Sequence, residues 1–138
     1  MPSPINLLIV KTGTTEPTVV EAHGDYDDWF RSHFTRQAVQ HHVCQAWLGE
    51  ALPNPAHFDG ILLTGSPASV RDEQQWMSGL SGWALNAAEN GAPILAVCFG
   101  HQLVGEALGG FIDQNPAGPE YGTIEVELTE DGLRDPLF

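Results

Sequence analysis

Basic residues are scarce in this sequence. Five Lys and Arg stand against 18 Asp and Glu, a formal net charge of −13 at pH 7. That balance argues against nucleic acid or an anionic membrane surface as partner, because both are bound through clustered cations. Cysteine is scarce too: Cys44 and Cys98 do not make a disulfide framework in a chain of 138 residues. No apolar run approaches the ~20 residues that cross a bilayer. The Met1-Pro2-Ser3-Pro4 start has no basic region followed by an apolar stretch, so no signal peptide is read. These features lead us to expect a cytoplasmic chain with reduced thiols. The histidines are His23, His33, His41, His42, His57 and His101, and none lies beyond position 101.

With 42% hydrophobic residues, the chain has enough apolar material for one domain with a real core. The runs 5–10, 58–63 and 93–97 are short, continuous and apolar, as strands buried on both faces of a parallel sheet are. A further strand is expected within 39–47, with Val43 its likeliest buried point. Helical spacing of Tyr26, Trp29, Phe30 and Phe34 predicts a helix over 25–34, and Trp76, Leu80, Trp83, Leu85 and Ala87 predict one over 72–90. Gly91 and Pro93 stop the latter. A last helix is expected over 100–108, whereas 14–23 shows no period and reads as loop. Past Pro119, Ile124, Val126 and Leu128 alternate with Glu125 and Glu127, the pattern of a strand with one face in solvent. Strands alternating with helices imply a three-layer α/β domain. Its sheet is mostly parallel and flanked by helices, with an antiparallel strand near the C-terminus.

The most informative run is Ala96-Val97-Cys98-Phe99-Gly100-His101-Gln102. A buried strand that turns at once into a helix presents Cys98 at the carboxyl end of the sheet, where α/β proteins put their sites. The helix N-terminus favours negative charge there, and the Phe99 N–H is offered to an oxyanion. Gly100, lacking a Cβ, lets the helix start against the strand. Gly65-Ser66-Pro67 closes the preceding strand and stands ready to supply a second N–H donor beside the elbow.

Leu62-Leu63-Thr64-Gly65-Ser66-Pro67-Ala68-Ser69 followed by Cys98-Phe99-Gly100-His101-Gln102 resembles the class I glutamine amidotransferase domain, which has a flavodoxin-like fold. The likeness is strongest to stand-alone members similar to the glutaminase part of GMP synthase. Glu120-Tyr121-Gly122, the run 125–129 and Asp135-Pro136-Leu137-Phe138 are similar to the same group. The resemblance implies hydrolysis of the glutamine side-chain amide through a thioester, releasing ammonia to an acceptor. It makes Cys98 the nucleophile and the N–H groups of Phe99 and Ser66 the oxyanion hole, with Gly65 shaping the loop. Gln102 and Gly100 help seat the substrate, and His101 is a helix residue rather than a base. No cofactor or metal is implied. The expected partners are glutamine and either a separate ammonia-accepting synthetase chain or a second copy of the chain.

The family's base is a downstream histidine oriented by a glutamate, and no histidine here occupies such a position. The expectation is therefore a glutamine amidotransferase-like domain over 1–138 that lacks the C-terminal part carrying that pair. An uncovered sheet edge would then favour self-association or a partner. Two other readings stay open: a γ-glutamyl peptidase or other thiol hydrolase, and a non-catalytic, partner-binding domain of the same fold. His41-His42-Val43-Cys44 is a weak metal signal, since no second ligand cluster follows at finger spacing.

Overall fold

A computed structural model of the protein describes residues 3–34 and 38–138. Four parallel strands form one sheet: β1 (Ile5–Lys11), β2 (Val39–Gln45), β3 (Gly60–Leu63) and β4 (Ile94–Ala96), in the order β2-β1-β3-β4. Between them run α1 (Pro17–His23), α2 (Tyr26–His33), α3 (Gln75–Glu89) and, after β4, α4 (Phe99–Ala107). From β1 the chain crosses to β2 on one side, and from β3 to β4 on the other. Right-handed crossovers in opposite directions put their helices on opposite faces of the sheet. Accordingly, Leu8, Val10, Ile61 and Leu63 share a core cluster with Met77, Leu80, Ala84 and Ala87 of α3 and with Phe99 and Leu103 of α4. Helix α2 packs against β1. This is the expected three-layer, flavodoxin-like arrangement.

The strand order reverses between β1 and β3, and the carboxyl ends there are level. Val10 pairs with Leu63, and Leu63 with Ala96. Lys11-Thr12, Thr64-Gly65 and Val97-Cys98 therefore leave the sheet side by side, at the position where α/β folds form their crevice.

Several expectations are corrected. Residues 17–23 are helical rather than loop. Pro17 opens α1 at its first turn and Gly24 closes it at φ 78°, but the helix has no buried residue, so no apolar period marks it. On β2 the buried point is Cys44, opposite Val10 on the α3/α4 face, while Val43 is half-buried. The alternating run 124–128 is not a strand. Among the described residues it has no ladder partner, and Ile124, Val126 and Leu128 are exposed. Alternation favours a strand only where a neighbouring edge supplies the hydrogen bonds.

Helix α3 also begins later than its apolar spacing indicates. Ser69 and Asp72 close a capping box around a separate 3₁₀ turn over Val70–Asp72, and Glu73 at φ 48° breaks the path into α3. Among the described residues, no helix is long and apolar enough to cross a membrane.

Candidate active site

The elbow forms as its sequence dictates. Val97 N–H donates to the Leu63 carbonyl at 3.0 Å, extending the β3–β4 pairing by one residue, and α4 starts at Phe99. The intervening Cys98 takes φ 51°, ψ −111°, a conformation that costs a non-glycine residue about 1–3 kcal/mol. The surroundings hold it there. Gly100 N–H donates to the carbonyls of Val97 and Thr64, and Gln102 N–H to that of Cys98 at 3.0 Å. Buried Phe99 anchors the first turn of α4, tilted against Trp76 of α3 at 5.7 Å between ring centroids. Cys98 itself is exposed, and among the described residues no side chain or backbone group hydrogen-bonds to its sulfur.

The second loop lies where the elbow needs it. A Cβ built on Gly65 would be 3.5 Å from the Cys98 Cβ and 3.9 Å from its Sγ, so the loop backbone runs alongside the thiol. Among the described residues, neither the Phe99 N–H nor the Ser66 N–H donates a hydrogen bond. Ser66 Oγ is turned to its own loop, accepting from Ala68 N–H at 3.1 Å. Below the loop, Thr12 and Thr64 are buried, and their hydroxyls approach the Gly65 carbonyl at 2.9 and 3.0 Å.

Cys98, Gly65 and Ser66 open onto a cavity of about 460 Å³. Val97 and four side chains of α2 (Tyr26, Trp29, Phe30 and His33) complete its lining. Tyr26 and Trp29 meet edge to face at 5.4 Å. His33 Nδ1 faces the Trp29 carbonyl at 2.8 Å. A carbonyl only accepts, so Nδ1 carries the proton in this bond. Helix α2 is fixed in turn by charge. Lys11, at the end of β1, pairs with Asp25 at 2.7 Å and Asp27 at 3.0 Å, both nearly buried, and Arg31 reaches Asp27 at 2.8 Å. Burial would raise the Asp25 pKa. Hydrogen bonds from Lys11, Thr14 and the amides of Tyr26 and Thr15 outweigh it and bring the carboxyl from 3.8 down to about 2. In Lys11, burial opposes the charge, yet the two carboxylates prevail and its pKa rises.

The sequence-expected residues Cys98, Phe99, Gly100, Gly65 and Ser66 thus come together. Gln102 and His101 lie exposed on the first turns of α4. Sequence reasoning missed the aromatic wall of α2 as part of the cavity, and it missed the Thr12–Thr64 pair. The spacing of 26, 29, 30 and 33 signals one helix face, but nothing in it says that the face turns toward Cys98. Cys44, the other thiol, is buried, and burial followed by the charge of Glu50 pushes its pKa up to about 11. His42 stacks edge-on against Phe58 at 5.3 Å. Among the described residues, no three His, Cys, Asp or Glu side chains gather as a metal site.

A family model described as glutamine amidotransferase class-I matches residues 19–136. The glutamine-hydrolysing GMP synthase of Aeropyrum pernix is 41% identical over 86 residues, covering 62% of this chain and 15% of that protein. One subunit of the glutamine-hydrolysing GMP synthase of Methanopyrus kandleri is 27% identical over 131 residues, covering 86% of this chain and 63% of that one. In the solved structure of a glutamine amidotransferase from Methylobacillus flagellatus, the fold superposes with a TM-score of 0.59 at 20% identity. That match covers 83% of this chain and 43% of the other. The chain thus spans less than two thirds of the length of each.

Proposed function

Since the chain belongs to the class I glutamine amidotransferase family, we propose that it cleaves the side-chain amide of glutamine through a thioester on Cys98. The observation that carries this reading is the exposed thiol at a strained elbow, flanked by two main-chain N–H groups without partners among the described residues. The Cys98 sulfur, as thiolate, attacks the amide carbon, and the carbonyl π pair moves onto oxygen. The N–H groups of Phe99 and Ser66 receive that oxyanion, aided by the positive pole of α4. When the oxyanion collapses, the C–N bond breaks and the amide nitrogen leaves as ammonia with a proton from solvent, equivalent to the one the thiol gave up. Water then attacks the thioester carbon, the C–S bond breaks, and glutamate and the free thiol result. Gln102, on the first turns of the same helix, and Gly100 seat the substrate. The chemistry needs no cofactor.

The proton acceptor that the family resemblance implies is not among these residues, since no histidine follows His101. We therefore assign residues 1–138 the nucleophile and the oxyanion hole but not the histidine–glutamate pair. The ammonia acceptor is proposed to be a separate synthetase chain, in keeping with the subunit naming of the Methanopyrus relative; a second copy of the chain is the other candidate partner. A catalytic thiol that must stay reduced fits a cytoplasmic setting.

One observation favours a second reading. The cavity beside Cys98 is walled by Tyr26, Trp29 and Phe30, which suit an apolar leaving group better than ammonia. A γ-glutamyl peptidase or related thiol hydrolase would use the same thioester. Single-turnover release tests both: mixed with excess glutamine, the chain is expected to free about one ammonia per Cys98, and Cys98→Ala none. Release from a γ-glutamyl-phenylalanine dipeptide alone would favour the second reading. Release from neither would leave only a non-catalytic domain of this fold.

A further inference from the structure

Beneath the Gly65–Ser66 loop lies a polar pair that the reaction above does not use. Thr12 and Thr64 are the residues that follow β1 and β3 across the reversal in strand order, and both are essentially inaccessible to solvent. Thr12 N–H donates to Thr64 Oγ1 at 3.1 Å, and Thr64 Oγ1 donates to the Gly65 carbonyl at 3.0 Å. The Thr12 hydroxyl lies 2.9 Å from both the Thr64 and the Gly65 carbonyls, so its single proton is shared between them. The Thr12 amide makes the Thr64 oxygen an acceptor. The Thr64 proton has the Gly65 carbonyl at 3.0 Å as its nearer acceptor, with the Thr12 hydroxyl at 3.3 Å beside it. Gly13 completes the support: a Cβ there would come within 2.6 Å of Ser66 Oγ and 2.9 Å of Pro67 Cδ, so only glycine lets the loop settle this low.

The Gly65 carbonyl and the Ser66 N–H belong to one peptide unit. That unit is planar and trans, so the two groups point in opposite directions. Holding the carbonyl down onto the buried hydroxyls turns the N–H up and away from them, on the open side where Gly65, Ser66 and Cys98 share the cavity. A Gly65–Ser66 peptide free to rotate would present carbonyl and N–H to the thiol in turn, and the carbonyl would repel an oxyanion.

We infer that Thr12 and Thr64 are positioning residues whose hydroxyls fix the Gly65–Ser66 peptide so that the Ser66 N–H faces the acyl oxygen. This rests on the thioester reading. It adds that half of the oxyanion hole is oriented from inside the sheet by two side chains that never touch substrate.

Acyl transfer and simple alkylation of Cys98 separate the two claims. γ-Glutamyl-p-nitroanilide acylates the thiol through an oxyanion. The S–C bond forms, the C–N bond breaks, and p-nitroaniline leaves carrying a proton. Iodoacetamide forms an S–C bond while iodide leaves, and no oxyanion arises. For Thr64→Val, nearly isosteric but without the hydroxyl, the burst of p-nitroaniline is expected to slow by roughly tenfold to a hundredfold, approaching the loss of one oxyanion donor. Alkylation by iodoacetamide should keep its wild-type rate, and Thr64→Ser should restore the burst. Should Thr64→Val lack a cooperative thermal transition, Thr12→Val with Thr12→Ser is read in its place, with the same expectations. A wild-type burst that the valine variant matches would overturn this inference alone. Equal slowing of burst and alkylation would also overturn it, since that marks general loosening of the elbow. Absence of any burst from the wild type, with alkylation intact, would overturn the thioester reading and this inference with it.

Discussion

Gly100 sits so close to Leu63 that a Cβ on the glycine would be 2.7 Å from the leucine Cβ, with the Leu63 and Thr64 carbonyls at 3.0 and 3.1 Å. Side chain and backbone both block the space, so helix α4 starts against β3 only because residue 100 has no side chain. Gly100→Ala is expected to cost about 1–3 kcal/mol of unfolding free energy, the usual penalty of overpacking. It should also abolish the single-turnover release, because relieving the clash moves Cys98 away from the Gly65 loop. Urea unfolding and release measured on the same preparation check both; wild-type values for both would show that the contact sets nothing.

The two thiols are expected to behave oppositely. Cys98 is exposed, whereas Cys44 is buried in β2 with its pKa pushed up to about 11. At pH 8, substoichiometric iodoacetamide should label Cys98 alone, and Cys44 should react only after denaturation. Peptide mapping reads this directly. Early labelling at Cys44 would mean that β2 opens readily.

The ion cluster under α2 predicts a pH dependence with a definite sign. Asp25 has its carboxyl lowered from 3.8 to about 2 in the folded protein. Its contribution is therefore complete above pH ~4 and is lost as the pH falls toward 2, when the folded state must also take up the proton. Lys11, raised above 10.5, contributes fully below that pH, and its share disappears as the pH climbs through the folded-state value. Lys11→Met leaves Asp25 and Asp27 buried without their common cation and should cost about 3–5 kcal/mol. Asp25→Asn should flatten the acid limb between pH 4 and 2. Unfolding free energies measured across pH 2–6 decide the matter, and an unchanged acid limb in Asp25→Asn would contradict it.

The proposed site has an exposed thiol and two N–H groups without partners but, among the described residues, no hydrogen-bonded base at Cys98. Sustained ammonia release by this chain is expected to be slow and to rise with added imidazole, which serves as a diffusible proton acceptor. The wild type should respond and Cys98→Ala should not. A wild-type rate indifferent to imidazole would show that the proton already has an acceptor, and His33, the histidine lining the cavity, would be the residue to substitute.

How far the sequence carried these conclusions depended on what each feature rests on. The strands β1, β3 and β4 were legible because a strand buried on both faces must be continuously apolar, and Gly or Pro punctuates each one. The elbow was legible because Cys98 and Gly100 fall in one local strand-turn-helix pattern, although the close approach of Gly100 to Leu63 is itself long-range. Helix α1 was not. It buries nothing, and only Pro17 and Gly24 at its two ends give it away. The run around Val126 shows the opposite failure, with good alternation and no neighbouring edge to pair with among the described residues. Thr12 and Thr64 are 52 positions apart, and the α2 aromatics are about 70 from Cys98. Their roles depend on β1 and β3 lying side by side, which local pattern does not report.

The central claim is that Cys98 attacks a glutamine-like carbonyl in a pocket this chain already assembles. Intact mass after incubation with a chloroketone analogue of glutamine tests it most directly, with Cys98→Ala in parallel. The account predicts one adduct per wild-type chain, prevented by excess glutamine, and none on the variant. No adduct on the wild type, or an equal adduct on Cys98→Ala, would contradict it.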